Sequence, residues 1–426
     1  MKRERAILRI VEGEDFFLQF SWLLNKIGVI EPPCGGFRFL PVVFQPSTAH
    51  NPMQPSKYLF PHRLNRRDFL RIGVLSATAL AAAPLARAED RPVKIGSGKW
   101  TYTLDPSWGT LPEGMKYGLG CGIVVDGKQR IIVTSRSNHP CVAIFDKSGK
   151  LLETWSNEFA EKVGYPSPDE VAATAHCIYW SKEGNDEFFY FTENVAGGKN
   201  ADGTPRPKIG ARVYKTDLKG KILYTIGNVE AEDATHQKFD WTNPTDVAVA
   251  PNGDIYVVDG YGTQRVSHFD RNWKHLKTFG GKGKTNDTFN TCHGIWVDTR
   301  KSTPEIYIAD RANGRLQVYD LELNYKRTID GEFVRNPCCF YQHEGHLYVP
   351  DLASMVTIFD AGDKQVAVLG DGKAVLAGGK AKQEIDAPNP DKFFAPHALT
   401  VDSEGSIYVV EWVPWGRVRK FRHTPV

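Results

Sequence analysis

Three histidines raise the first chemical question in this sequence: His176, His293 and His397. Each stands at the head of a short apolar run, reading AHCIYW, CHGIWV and PHALTV. The same head position recurs at Cys121, Thr245 and Cys338. The series therefore reads Cys, His, Thr, His, Cys, His at spacings of 55, 69, 48, 45 and 59 residues. Histidine occupies every second repeat. With six repeats around one axis, alternate positions obey an approximate threefold, and three imidazoles converge on a point. Three such nitrogens hold zinc at about 2.0–2.1 Å and leave a fourth position open, which is the habit of a catalytic rather than a structural site. One histidine alone is more often a packed core residue. Three at one position of alternating repeats point to a metal, with zinc expected and other imidazole-loving ions chemically admissible.

A second series closes each second run: Ser135-Arg136, Glu193-Asn194, Asp259-Gly260-Tyr261, Asp310-Arg311, Asp351-Leu352 and Glu411-Trp412. Its acidic members are expected to brace turns or to hydrogen-bond the ligand histidines. Arg136, Tyr261 and Arg311 are expected over the same face as the histidines. An arginine fork suits a carboxylate. A tyrosine beside a cation and arginines has its phenolate favoured, as proton transfer would require.

These side chains need a scaffold that repeats. Around His293 the unit reads as a short strand, a turn, the β-branched run from Ile306 to Ala309 and a third alternating run from Leu316 to Tyr319. Short strands bounded by Gly, Pro and Asp are antiparallel sheet in sequence. Strand repeats at this period predict an all-β, six-bladed β-propeller. The last repeat lacks a fourth strand, and Lys99–Leu104 alternates ahead of the first, so an N-terminal strand is expected to close the ring. The 39 Gly and 26 Pro among 426 residues suit such a turn-rich protein. A net charge of +3 gives no reason to expect a nucleic-acid partner. The basic run from Arg417 to Arg422 reads as a solvated strand. Two long loops, Asn194–Ala211 and Asp371–Lys392, are expected to shape access to the channel.

Three segments follow from the N-terminal punctuation. Residues 1–59 show no repeat and read as an extension, with Met53 an alternative start; residues 89–426 hold the propeller. Between them, residues 60–88 carry the pair Arg66-Arg67, an apolar stretch from Ile72 to Ala86 and the small-residue site Ala86-Arg87-Ala88. That is a twin-arginine export signal, with cleavage expected after Ala88. It predicts export by the twin-arginine machinery to the periplasm or beyond the cell, with no membrane anchor left after cleavage. Six cysteines follow the cleavage site, allowing 15 disulfide connectivities that the spacing does not choose among.

The stretches NPTDVAVAPNGDIYVVDGYGTQRV (Asn243–Val266), IADRANGRLQVY (Ile308–Tyr319) and APHALTVDSEGSIYVV (Ala395–Val410) resemble the lyase domain of peptidylglycine α-amidating enzymes, a six-bladed propeller of NHL-repeat type. The resemblance covers nearly all of residues 117–421. It implies a zinc-dependent lyase that splits a peptidyl-α-hydroxyglycine into an amidated peptide and glyoxylate, and hence a small-molecule or peptide substrate bearing a carboxylate. His176, His293 and His397 match the family's ligands, Tyr261 its catalytic tyrosine, and Arg136 and Arg311 its arginines. The chain also departs from the pattern. Ala398 replaces an acidic residue tied to a structural calcium, which argues against calcium here, and Ala395 replaces a methionine. Gly262 and Val318 stand where the family has cysteines, so those disulfides are not expected. A different class of function fits the same fold: a non-catalytic NHL propeller that binds a protein or glycan.

Overall fold

The computed structural model of the protein describes residues 92–197, 203–204, 208–370 and 392–426. The leader segments 1–59 and 60–88, nearly all of the Asp371–Lys392 loop and part of the Asn194–Ala211 loop lie outside the described residues. Six sheets follow one another along the chain, four of them with four strands and two with five. Their innermost strands are Gly120–Val125, Ala175–Glu183, Asp246–Val249, Cys292–Asp298, Tyr341–His343 and Pro396–Val401. The sheets pack in chain order, and the sixth lies against the first, so they form a ring of six blades. Among the described residues no helix is long and apolar enough to cross a membrane.

Each blade is built on a four-stranded antiparallel meander, as in Asp246–Val249, Ile255–Val258, Arg265–Phe269 and His275–Gly280, and blade two adds His236–Lys238 parallel to its outer strand Ile222–Gly227. In blades one to five the outermost hairpin is set by one aspartate: Asp146, Asp217, Asp270, Asp320 or Asp360. Each carboxylate accepts the backbone N–H four residues on, at 3.0, 2.9, 3.0, 2.8 and 2.9 Å. An aspartate that caps its own turn in this way is a strong local signal for chain reversal. In the sixth blade, Tyr102–Asp105 runs antiparallel to Arg417–His423, pairing Leu104 with Phe421. This strand starts at Tyr102 rather than Lys99, because Gly98–Trp100 are wound into a 3-10 turn.

Alternation carries the core. The apolar residues of neighbouring blades interlock between sheets, as where Tyr307, Ala309 and Leu316 of blade four meet Phe340, Leu347 and Val349 of blade five. Two features depart from the sequence reading. The connection between blades one and two contains two short helices, Asn157–Lys162 and Pro168–Thr174, the second capped by Ser167 with Pro168 in its first turn. The basic run is not a solvated strand. Arg417 and Arg419 turn inward onto the fully buried Glu411, at 3.1 and 3.3 Å, and Lys420 is also buried.

Glu411 belongs to a ring of polar residues that fixes the entry to every inner strand. Asp259 accepts from Asn243 N at 2.6 Å, Asp310 from Asn290 N at 2.7 Å, Asp351 from Asn336 N at 2.9 Å and Glu411 from Phe394 N at 2.6 Å. In blade one Ser135 does the same to Gly118 N, and in blade two Glu193 accepts from the Thr174 hydroxyl. Five of these six positions therefore grip the backbone two or three residues before a strand head, and Glu193 grips a side chain two residues before one. Asp310 also holds the Arg315 guanidinium at 2.7 Å and the amides of Asn313 and Gln317. Asp310→Ala would take the carboxylate from a half-buried cation and several donors, so it should lower the unfolding free energy by about 1–3 kcal/mol. Urea denaturation checks this, and a loss under about 1 kcal/mol would contradict the bracing role.

Candidate metal centre

The three histidines are brought together at the axis. His293 Nε2 lies 3.2 Å from His176 Nε2 and 3.2 Å from His397 Nε2, and ligand nitrogens of all three fall within 4.8 Å of one another. Two nitrogens bound tetrahedrally at about 2.05 Å to one ion would stand about 3.3 Å apart. Both spacings from His293 are close to that edge length. All three side chains are buried, at 0–1% exposure.

Two local devices aim them. A β-bulge interrupts the pairing at the head of the inner strand in blades two, four and six, between Ala175 and Ile178, Cys292 and Ile295, and Pro396 and Ala398, as it also does in blade one between Gly120 and Gly122. A bulge turns one residue out of the alternation, which is how a strand points a side chain along a channel. The second device is a hydrogen bond to the next blade. His176 Nδ1 meets Thr245 O at 2.5 Å, His293 Nδ1 meets Cys338 O at 3.0 Å and His397 Nδ1 meets Cys121 O at 2.6 Å. A carbonyl only accepts, so each Nδ1 carries the proton and each Nε2 offers its lone pair to the axis. Gly294 makes one of these contacts possible, since a Cβ there would lie 2.0 Å from Cys338 O.

Burial keeps the imidazoles neutral. It holds His176 and His293 well below the ordinary histidine range and lowers His397 to about 3. The positive charges of Arg136 and Arg311 act in the same direction on His176 and His397. Three neutral imidazoles with converging lone pairs are a donor set for a divalent ion such as zinc.

The other expected residues surround this ring. The Tyr261 ring lies 5.3 Å from that of His176 and 5.5 Å from that of His293. Arg311 donates from Nη1 to the Tyr261 hydroxyl oxygen at 3.1 Å. Arg136 sits on the far side, with Nε donating to Ala175 O at 3.1 Å and Nη2 to Asn194 Oδ1 at 2.8 Å. Its partners are neutral, so its charge is not cancelled locally.

Three groups were missed by the sequence reading. Trp412 stacks on His397 at 4.9 Å and 29° while its face receives Arg136 at 5.0 Å. Its place beside Glu411 in the strand-end series was the available signal. Asn194 occupies the equivalent place in blade two. The carbonyls of Cys121, Thr245 and Cys338 carry no side-chain signature at all. Of the two roles expected for the strand-end acidic residues, the carboxylates take the first and brace the turns, while backbone oxygens orient the histidines. All six described cysteines are free and buried. Farther along the channel is a cavity of about 420 Å³, lined by Cys177, Asp246, Cys339, Tyr179, Trp296 and Tyr341 among others, and by none of the three histidines.

Replacing one ligand should abolish the centre. His293→Ala, refolded beside the parent with zinc and dialysed, should retain less than a tenth of one equivalent of metal while the parent retains about one. A separate expectation concerns pH. The folded histidines resist protonation while the unfolded chain titrates near 6.5, so the unfolded state binds more protons over the interval between. Stability of the ion-free protein should therefore fall on acidification from about pH 6.5 downward, toward the His397 value of about 3. Urea titrations at pH 7 and pH 5 measure it, and His397→Gln should flatten the slope by about 1 kcal/mol per pH unit.

Residues 234–357 match a family model described as a six-bladed beta-propeller. NHL repeat-containing protein 3 of Homo sapiens is 24% identical over 242 residues, covering 56% of this chain and 62% of that protein. A probable peptidyl-α-hydroxyglycine α-amidating lyase of Caenorhabditis elegans is 26% identical over 204 residues, 45% of this chain and 55% of the relative. Peptidyl-α-hydroxyglycine α-amidating lyase 1 of Drosophila melanogaster is 27% identical over 225 residues, 48% of this chain and 39% of the relative. The chain thus spans roughly two fifths to three fifths of these curated relatives. With repeat, ring and homology in agreement, the chain is an NHL-repeat six-bladed β-propeller, a homologue of proteins named as NHL repeat-containing protein 3 and as peptidyl-α-hydroxyglycine α-amidating lyases.

Proposed function

We propose that this chain is a metal-dependent carbon–nitrogen lyase, cleaving a carbinolamide of the α-hydroxyglycine type to an amide and glyoxylate. The observation that carries the reading is the meeting of three Nε2 lone pairs with the Arg311–Tyr261 hydrogen bond at one end of the channel. Zinc held by His176, His293 and His397 would supply a Lewis acid for the substrate's hydroxyl or carboxylate oxygen.

The chain's own residues divide the remaining work. Arg136, with neutral partners only, binds the substrate carboxylate, and the Trp412 face keeps that guanidinium in place. Arg311 supports Tyr261 as a base. Tyr261 takes the hydroxyl proton, the C–O bond becomes the aldehyde of glyoxylate, and the C–N electron pair leaves on the amide nitrogen. That nitrogen needs one proton, and Tyr261 holds the one just removed. Atoms balance without a further reactant.

We further infer that the mature chain works outside the cytoplasm, on the strength of the twin-arginine pattern at residues 60–88. A non-catalytic binding propeller remains the second reading, favoured by the match to a relative named for its repeats alone. Assay separates the two. Zinc-loaded protein given a peptidyl-α-hydroxyglycine should release glyoxylate, trapped as a hydrazone, in step with the amide. Tyr261→Phe should lower kcat by about 10²–10⁴ with metal content unchanged. Full turnover by that variant would remove Tyr261 from the mechanism, and no glyoxylate from the metal-loaded parent would leave the binding reading standing.

A further inference from the structure

One step beyond each strand head, the six blades present Gly122, Cys177, Asp246, Gly294, Cys339 and Ala398. Three of these have no side chain past Cβ. The channel at this level is therefore occupied by two thiols and one carboxylate. Cys177 comes from blade two and Cys339 from blade five, which face each other across a six-membered ring. Their Sγ atoms are 3.7 Å apart, and the residues are 4% and 6% exposed. Both line the cavity on the far side of the histidines.

We propose that Cys177 and Cys339 form a disulfide, a covalent strut across the channel immediately beneath the metal ring. A bond of about 2.05 Å requires the sulfurs to close by about 1.7 Å. Gly122, Gly294 and Ala398 offer no bulk to oppose that rotation. The strut bears on the centre itself. Cys177 follows the ligand His176, and Cys339 follows Cys338, whose carbonyl receives His293 Nδ1 at 3.0 Å. A bond between them ties a ligand of one blade to the orienting acceptor of the opposite blade. It also closes a segment of 162 residues, the long-loop case in which a cross-link restricts the unfolded chain most.

The competing use of these sulfurs is a soft metal site completed by His397, whose nitrogen lies within 4.8 Å of both. That imidazole has no nitrogen to spare. Its Nδ1 is engaged by Cys121 O and its Nε2 faces His293 Nε2. The Asp246 carboxylate at the same level is already taken up by the backbone N–H groups of Val247 and Ile295 at 2.9 and 3.1 Å, so the two thiols lack an uncommitted third donor and are better suited to act as a redox pair.

The oxidant is a low-molecular-weight disulfide, RSSR. One cysteine thiolate displaces RS⁻ to give a mixed disulfide, and the second displaces the other RS⁻. The net change is two thiols and RSSR going to one protein disulfide and two RSH, so the protein loses two electrons and two protons. The inference does not depend on which reaction the metal ring performs.

Folded, reduced protein is incubated with cystamine, alkylated, and digested without reduction. The expected product is one linked pair of peptides containing Cys177 and Cys339, lighter by two hydrogens than the separate peptides, with the other four cysteines recovered alkylated or in their original form. The oxidised protein should melt several degrees higher than the reduced protein, and Cys339→Ser should lose both the linked pair and the shift. Recovery of Cys177 and Cys339 as two cystamine adducts or two alkylated thiols would overturn the proposal, as would linkage to other cysteines. So would a second equivalent of zinc that Cys339→Ser loses while the histidine-bound equivalent stays. Because the linked peptides are read on the parent protein, a variant that fails to fold does not shield the idea.

Discussion

The centre depends on three hydrogen bonds that run from one blade to the next. A buried imidazole has two nitrogens and one proton, and whichever nitrogen meets an acceptor keeps it. Here the acceptors are the backbone oxygens of Thr245, Cys338 and Cys121, each at the strand head of the following blade. Histidine therefore occupies alternate blades for a physical reason. Every histidine head needs a neighbouring head that contributes only its carbonyl, and in a ring of six the pattern closes without a remainder. Were all six heads histidine, side chains would crowd the axis with more rings than one ion could use.

From this constraint the rest of the architecture follows outward. The bulges free the histidine heads from the strand alternation. The strand-end carboxylates grip the chain just before it enters each inner strand. Arg417 and Arg419 then give one of those carboxylates, Glu411, two cationic partners in the interior, where an unpaired one would be costly. What looked like a solvated basic run is thus part of the scaffolding behind His397.

Much of this was legible in the chain alone, because a propeller writes its period into strand-forming residues and Asp- or Gly-marked turns. Alignment of the repeats gave the three histidines, and the strand-end series gave Arg136, Tyr261 and Arg311. What stayed hidden was of two kinds. Backbone groups have no sequence signature, so the carbonyls that fix the tautomers could not be read, nor could the bulges, which depend on register. Long-range side-chain contacts were the other kind: Trp412 touches His397 and Arg136 across large sequence separations, and only its repeat position hinted at it. The two helices between blades one and two, Asn157–Lys162 and Pro168–Thr174, are too short to have shown a helical period.

The charge of the site argues for what it can accept. Three histidines held neutral, two arginines and a divalent ion would leave the mouth of the channel strongly positive, and Arg136 touches no carboxylate to offset it. A neutral or cationic ligand would gain nothing from that arrangement. An anion would gain an electrostatic partner on each side of the axis, since Arg136 belongs to blade one and Arg311 to blade four, opposite positions of the ring. On the proposed reading the fork of Arg136, whose partners are neutral, is the one that takes a substrate carboxylate, while Arg311 stays with the Tyr261 hydroxyl.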